Sequence, residues 1–134
     1  MIAVDTSALM AIVLNEAQAS PCAAILATDQ RLLLSAATST EALIVSAGRN
    51  VRPEMIQLIA GLGFEIVAVT EDFARRVADS FGLWGKGIHP AALNFGDCFA
   101  YQVAKDRSCP LLYIGNDFTK TDIASALCKG WLPE

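Results

Sequence analysis

The stretch Met1-Ile2-Ala3-Val4-Asp5-Thr6-Ser7-Ala8-Leu9 decides the fold of this chain. Ile2-Ala3-Val4 is a short apolar run suited to a buried parallel strand, and Ala8 through Leu14 reads as a helix. Asp5 therefore falls at a strand's carboxyl end. In open α/β sheets ligands bind in the crevice outside those ends, and Thr6 or Ser7 is available to cap the helix that follows. Three further acids stand where later elements can deliver them to the same place. They are Glu41 in Thr38-Ser39-Thr40-Glu41, Asp97 in Asn94-Phe95-Gly96-Asp97 and Asp117 in Gly115-Asn116-Asp117.

Outward from that stretch, strands and helices alternate. Asn15-Glu16-Ala17 breaks the first helix, and Ser20-Pro21 reads as a cap with proline at the first position of a second helix running to about Ala27. Arg31 to Leu34 is a short strand, and Ser35 leads into a helix through Ala47 closed by Gly48, with Glu41 near its start. Arg52-Pro53-Glu54 opens a helix that Gly61 and Gly63 end, Phe64 to Val69 is a strand, and Thr70 starts a helix to about Trp84. Gly82 to Pro90 is loop-like. Asn94 caps a helix through Lys105 with Asp97 in its first turn, Pro110 to Ile114 is a strand ending at Gly115-Asn116-Asp117, and Thr119 to Glu134 is a short helix or turn and a tail. The pattern predicts one domain over residues 1–134, a three-layer α/β/α sandwich on a parallel sheet of four to five strands.

Composition narrows the function. Hydrophobic residues make up 54% of the 134 and charged ones 18%, a balance that predicts a densely buried sheet and a surface covered by another protein. No apolar run reaches the roughly 18 residues that span a bilayer. With no basic region before the first apolar stretch either, a soluble cytoplasmic protein without a membrane partner is expected. Cys22, Cys98, Cys109 and Cys128 are scattered without a C-x-x-C pair, and there is one histidine, which argues against zinc and for small core hydrophobes in a reducing compartment. A net charge of −4 argues against a broad electrostatic footprint for nucleic acid. A polyanionic substrate would need metal ions or a local basic patch.

The acids supply the chemistry. Asp5 and Asp117 end apolar strands and Glu41 and Asp97 open helices, four positions that face one side of a parallel sheet. Unpaired carboxylates crowded together raise one another's pKa values and persist as anions only when a cation joins them. Oxygen-only ligands suit Mg²⁺ or Mn²⁺, and that combination points to phosphodiester hydrolysis. No G-x-S-x-G, P-loop or G-x-G-x-x-G motif competes, and His89 has no nucleophile beside it, which favours a loop-packing role.

These residues resemble the PIN domain, and within it the VapC toxins of bacterial toxin–antitoxin pairs. The matching stretches are Ile2 to Leu9, Ser35 through Ala42, Gly85-Lys86-Gly87 with His89 to Cys98, and Pro110 to Leu112 with Gly115 to Phe118 and Thr121-Asp122-Ile123. The resemblance implies a Mg²⁺- or Mn²⁺-dependent ribonuclease acting on RNA. It also implies a homodimer, alone or in a larger assembly, held inactive by a VapB-type antitoxin. By that match Asp5, Glu41, Asp97 and Asp117 hold metal and carry catalysis. Thr6 and Ser7 orient Asp5 or contact substrate, Asn116 supports the site, and Asp122 is either a further acid there or a turn residue. Ile88 and Ile114 stand where similar toxins often carry basic residues, leaving Lys86, Lys120, Arg49 and Arg52 as candidate phosphate contacts. Two other readings compete: a phosphatase with Asp5 as nucleophile, which has Ser7 where a second acid is wanted, and a non-catalytic PIN-like interaction module with a weak or regulatory metal site.

Overall fold

The computed structural model describes residues 1–28 and 30–127. The chain runs β1 (Ile2–Val4), α1 (Thr6–Val13), α2 (Ala19–Leu26), β2 (Leu32–Ser35), α3 (Ala36–Gly48), α4 (Arg52–Leu62), β3 (Glu65–Val67), α5 (Glu71–Trp84), α6 (Phe95–Arg107) and β4 (Leu111–Leu112). The strands form one parallel sheet in the order β3-β2-β1-β4. Four strands are thus present among the described residues, the lower of the two numbers expected.

Alternation along each strand builds two cores. Ile2, Val4, Leu32, Leu34 and Leu112 face a cluster closed by residues of α1, α2 and α4, including Leu9, Ile25 and Met55. Ala3, Leu33, Leu111 and Tyr113 face the opposite cluster, closed by Phe73 and Val77 of α5 and Phe99 and Val103 of α6. Both sheet faces are covered, which is why the strands read as continuous apolar runs. The strand order turns back at β1: β2 lies on one side and β4 on the other, so the crevice between the ends of β1 and β4 is a topological switch point.

Several sequence expectations shift. Neither Thr6 nor Ser7 caps α1; Asp5 does, its Oδ2 accepting from the Ser7 amide at 3.1 Å. Ser20 is not the cap of α2, whose N-cap is Gln18 without a side-chain bond, and Pro21 occupies the third helical position. The turn through Asn15, at φ 51°, delivers the chain directly to Ala19, and Pro21 is tolerated because N–H groups of the first turn have no intrahelical partner. Ser35 caps α3 at Ala36, so Glu41 lies in the second turn rather than the first. Gly61 lies inside α4, which Gly63 ends at φ 67°. β3 and β4 are shorter than their apolar runs because pairing, not hydrophobicity, sets a strand's length. Asp117 also differs from Asp5: it stands in an exposed turn past Gly115, at φ 94°, five residues beyond the end of β4. Residues 119–127 form turns that return to the sheet edge through a Leu111–Ser125 bridge, and the expected tail with Cys128 lies outside the described residues.

Among the described residues Cys22 and Cys98 are buried free thiols and Cys109 is half-buried and free, as packing residues should be. No helix of the described residues is long and apolar enough to cross a membrane.

Candidate active site and metal centre

Asp5 leaves β1 with its amide donating to the Leu112 carbonyl at 3.0 Å, which fixes the acid beside the end of β4. Its Oδ2 accepts twice from Ser7, from the amide at 3.1 Å and from Oγ at 2.7 Å. The same Ser7 Oγ accepts the Ile114 amide at 3.0 Å. One small hydroxyl therefore orients the carboxylate and ties β4 to the start of α1. Thr6, directly beside it in sequence, serves a different acid: its Oγ1 donates to Glu41 Oε1 at 2.5 Å, joining α1 to α3.

Asp97 is placed by helix capping. Asn94 Oδ1 accepts the Asp97 amide at 2.8 Å while Asp97 Oδ2 accepts the Asn94 amide at 3.0 Å, a reciprocal box at the start of α6. Gly96, just before it, lets α6 approach α3, since a side chain there would meet the Glu41 carboxylate. In the sequence the only signal for Gly96 is its adjacency to Asp97.

Electrostatics shows which acids share a site. Burial pushes the Asp97 carboxyl up to about 7 against the Asn94 bond, and the charges of Asp5, Asp117 and Glu41 add to the rise. Asp5, 5% exposed, is raised to about 6, by burial first and with Glu41 contributing, although its Ser7 bonds oppose the shift. All four acids named from the sequence therefore act on one neighbourhood, three buried or half-buried and Asp117 at its exposed rim. In this arrangement no three His, Cys, Asp or Glu among the described residues stand at the spacing of ligands to one ion. Like charges push apart, and Asp5, Glu41 and Asp97 each turn one oxygen onto a fold partner, Ser7, Thr6 and Asn94. A second oxygen on each remains for a hard cation, which would offset the burial and like charge that raise Asp5 and Asp97. The donor set fits Mg²⁺ or Mn²⁺.

The chain's extent of similarity matches its geometry. The profile of the PIN domain family covers residues 2–124. This chain belongs to the PIN-domain family. Its relatives include Ribonuclease VapC36 of Mycobacterium tuberculosis, 39% identical over 97% of this chain and 96% of that protein. Ribonuclease VapC28 of the same species is 41% identical over 92% and 96%. Among solved structures, VapC20 of Mycobacterium tuberculosis, described as a toxin cleaving the sarcin–ricin loop, superposes with a TM-score of 0.76 at 15% identity, covering 92% of this chain and 97% of that one. A toxin–antitoxin complex from Klebsiella pneumoniae superposes at 0.68 and 16% identity, covering 91% and 93%. The relatives place the chain in the VapC branch of the PIN domains, as the resemblance implied.

Not every expected residue lies with these acids. Asp122 is held instead by α6: Tyr101 Oη donates to its Oδ1 at 2.7 Å and Lys105 Nζ to its Oδ2 at 2.7 Å. Asn116 is exposed, and its carbonyl accepts from Thr119. His89 packs edge-on against Trp84 at 4.7 Å, and its Nδ1 accepts the Ala91 amide, the loop-packing role expected. Ile88 is 55% exposed, whereas Ile114 packs partly buried against the core, so a charge at the two positions would face different surroundings. Lys86, Lys120, Arg49 and Arg52 are exposed, and among the described residues none is in an ion pair, whereas Arg31, Arg75, Arg76, Lys105 and Arg107 are all paired. Tyr101 and Trp84 were not singled out from the sequence; aromatic residues at helical spacing read as core.

Proposed function

We propose that this chain is a divalent-metal-dependent endoribonuclease toxin, with Asp5, Glu41, Asp97 and Asp117 holding Mg²⁺ or Mn²⁺ and carrying catalysis. The observation behind the reading is the gathering of acids from distant parts of the chain around Asp97, whose carboxyl is raised by burial first and then by the charges of Asp5, Asp117 and Glu41. A metal held by these acids would supply activation of water and stabilisation of charge at the leaving oxygen. The chain's own residues do the rest. Ser7 holds Asp5 in one orientation, Thr6 holds Glu41, and the Asn94 box fixes Asp97, so the acids meet a cation without reorganising their backbone. Lys86, Lys120, Arg49 and Arg52 contact phosphates along single-stranded RNA, with Asn116 supporting the Asp117 turn.

A VapB-type antitoxin is the partner, acting in the cytoplasm. An apolar hollow lined by Ala37, Ile44, Val69, Phe95 and Phe99 has Glu41 in its wall, so an apolar segment lying there reaches the edge of the acid group at Glu41. Homodimer formation follows from the same family reading and is checked by light scattering.

RNA incubated with purified protein and Mg²⁺ should yield defined new ends, abolished by EDTA and by Asp5→Ala. If Asp5→Ala cuts at the wild-type rate, the assignment fails. The non-catalytic module keeps one observation in its favour, the acids' spacing apart from one another. It expects Mg²⁺ to leave RNA uncut while the antitoxin still binds.

A further inference from the structure

Two loops flank the first turn of α6, and each is closed at its base by a single bridge. The first leaves α5 after Trp84, carries Lys86 and returns through a Gly85–Leu93 bridge, with the Lys86 amide on the Leu93 carbonyl at 2.9 Å and the Leu93 amide on the Trp84 carbonyl at 3.0 Å. It feeds directly into Asn94 and Asp97. The second leaves β4, carries Asp117 and Lys120, and returns through the Leu111–Ser125 bridge, with the Leu111 amide on the Ala124 carbonyl at 2.9 Å. Nothing in the backbone pairing joins one loop to the other.

Leu93 and Phe118 share the apolar core on that side of the sheet, and one side chain hydrogen-bonds to both roots. Tyr101 lies four residues after Asp97, on the same face of α6, and is 3% exposed. Its hydroxyl accepts from Trp84 Nε1 at 3.0 Å, at the root of the first loop, and donates to Asp122 Oδ1 at 2.7 Å, near the root of the second. Both capacities of the hydroxyl are used. Lys105, one turn further along, grips the other oxygen of Asp122 at 2.7 Å. Trp84 in turn braces His89, whose Nδ1 holds the Ala91 amide inside the first loop. The exposed cations that these loops carry, Lys86 and Lys120, are among those without an ion-pair partner in the described residues.

We propose that the Tyr101 hydroxyl is a positioning group for RNA: by tying the roots of the two loops to α6 it fixes the separation of Lys86 and Lys120, the exposed cations those loops carry. The inference rests on the nuclease reading for its substrate. The bond network has no contact with the reacting atoms, so its effect falls on binding of the RNA backbone.

Tyr101→Phe keeps the ring and deletes the hydroxyl. It should raise the KM for a single-stranded RNA about five- to tenfold, the worth of one or two ordinary hydrogen bonds expressed in binding, with kcat within about twofold of wild type. In a Lys86→Gln/Lys120→Gln background the same change should add no further rise, because the groups it positions are gone. Multiplication of KM by the same factor in both backgrounds, an unchanged KM, or a fall in kcat alone overturns the proposal. Trp84→Phe removes the other bond to this hydroxyl and gives the same pattern should Tyr101→Phe fold poorly. The ratios are also read as RNA dissociation constants on the Asp5→Ala background, so a protein that cuts nothing still tests the clasp. Loss of cleavage in Asp5→Ala bears on the nuclease reading alone.

Discussion

At the first turn of α6, Asp97 sits among Asp5, Glu41 and Asp117, and its carboxyl is pushed up to about 7. Beside the later turns of the same helix, Asp122 is also partly desolvated, yet bonds from Lys105 and Tyr101 hold its carboxyl below the usual range. The residue type and the supporting helix are the same, and the partners differ. An acid whose cation comes from the chain is a finished structural element. Acids whose only near charges are other acids store electrostatic repulsion that a cation from outside can release, which is why the proposed metal site falls at that end of α6.

The comparison breaks most visibly at Asp97. Asp97→Asn keeps an acceptor for the Asn94 amide but removes a charge, and cleavage should fall more than about 100-fold, beyond what loss of a ligand's supporting bond costs. If Asp97→Asn retains a tenth of the activity, the acid is a cap and not a ligand. Ser7→Ala, which frees Asp5 Oδ2 and the Ile114 amide together, should raise the Mg²⁺ concentration for half-maximal cleavage by about 10–100-fold. A magnesium titration of the two proteins reads it.

Stability sharpens the contrast with a sign. Because the Asp97 and Asp5 carboxyls are raised in the fold, their contribution is present below about pH 4 and lost as pH climbs through about 6 and 7. Metal-free protein should therefore weaken between pH 4 and 7. Asp97→Asn should flatten that fall and exceed the metal-free wild type at pH 8 by about 1–3 kcal/mol, each unit being worth about 1.4 and the acids sharing the shift. Urea melts across pH in EDTA test this, and a steeper fall in the variant would contradict it. Mg²⁺ should restore the wild type at pH 8 and do little at pH 5. Asp122→Asn gives the opposite and smallest effect, a loss under about 1 kcal/mol at neutral pH, because its ion pair with Lys105 is largely exposed.

Gly96 joins the two ends of this argument. Gly96→Ala should change the melting temperature little, since residue 96 is only the second of α6 and its added methyl meets a side-chain carboxylate rather than backbone. Cleavage should drop because the methyl displaces the Glu41 carboxylate from its place beside α6. A variant equally stable and equally active would show that Glu41 is free to move without consequence.

Much of this was legible in the chain itself. Ile2-Ala3-Val4 and Leu32-Leu33-Leu34 are apolar at every position, which only a sheet covered on both faces requires, and caps at Ser35, Thr70 and Asn94 mark three helices by local hydrogen bonding alone. Asp5 and Asp97 were visible for the same reason, since the polar group that stops a strand or opens a helix is a local feature, and Glu41 and Asp117 stand within a turn or so of such ends. That Ser7 orients Asp5 was among the expectations, but its second partner and what Thr6, Gly96 and Tyr101 do were not visible. Ser7 reaches Ile114, Thr6 reaches Glu41, and Tyr101 bridges Trp84 and Asp122, partners whose distance in sequence carries no period or motif. The sequence by itself determined the elements, the parallel sheet and the identity of the acids, because propensity, capping and alternation act between near neighbours. Only the tertiary structure decided which acids repel one another and which is neutralised, because Coulomb energy and hydrogen bonding depend on distances that the packing of α1, α3 and α6 sets.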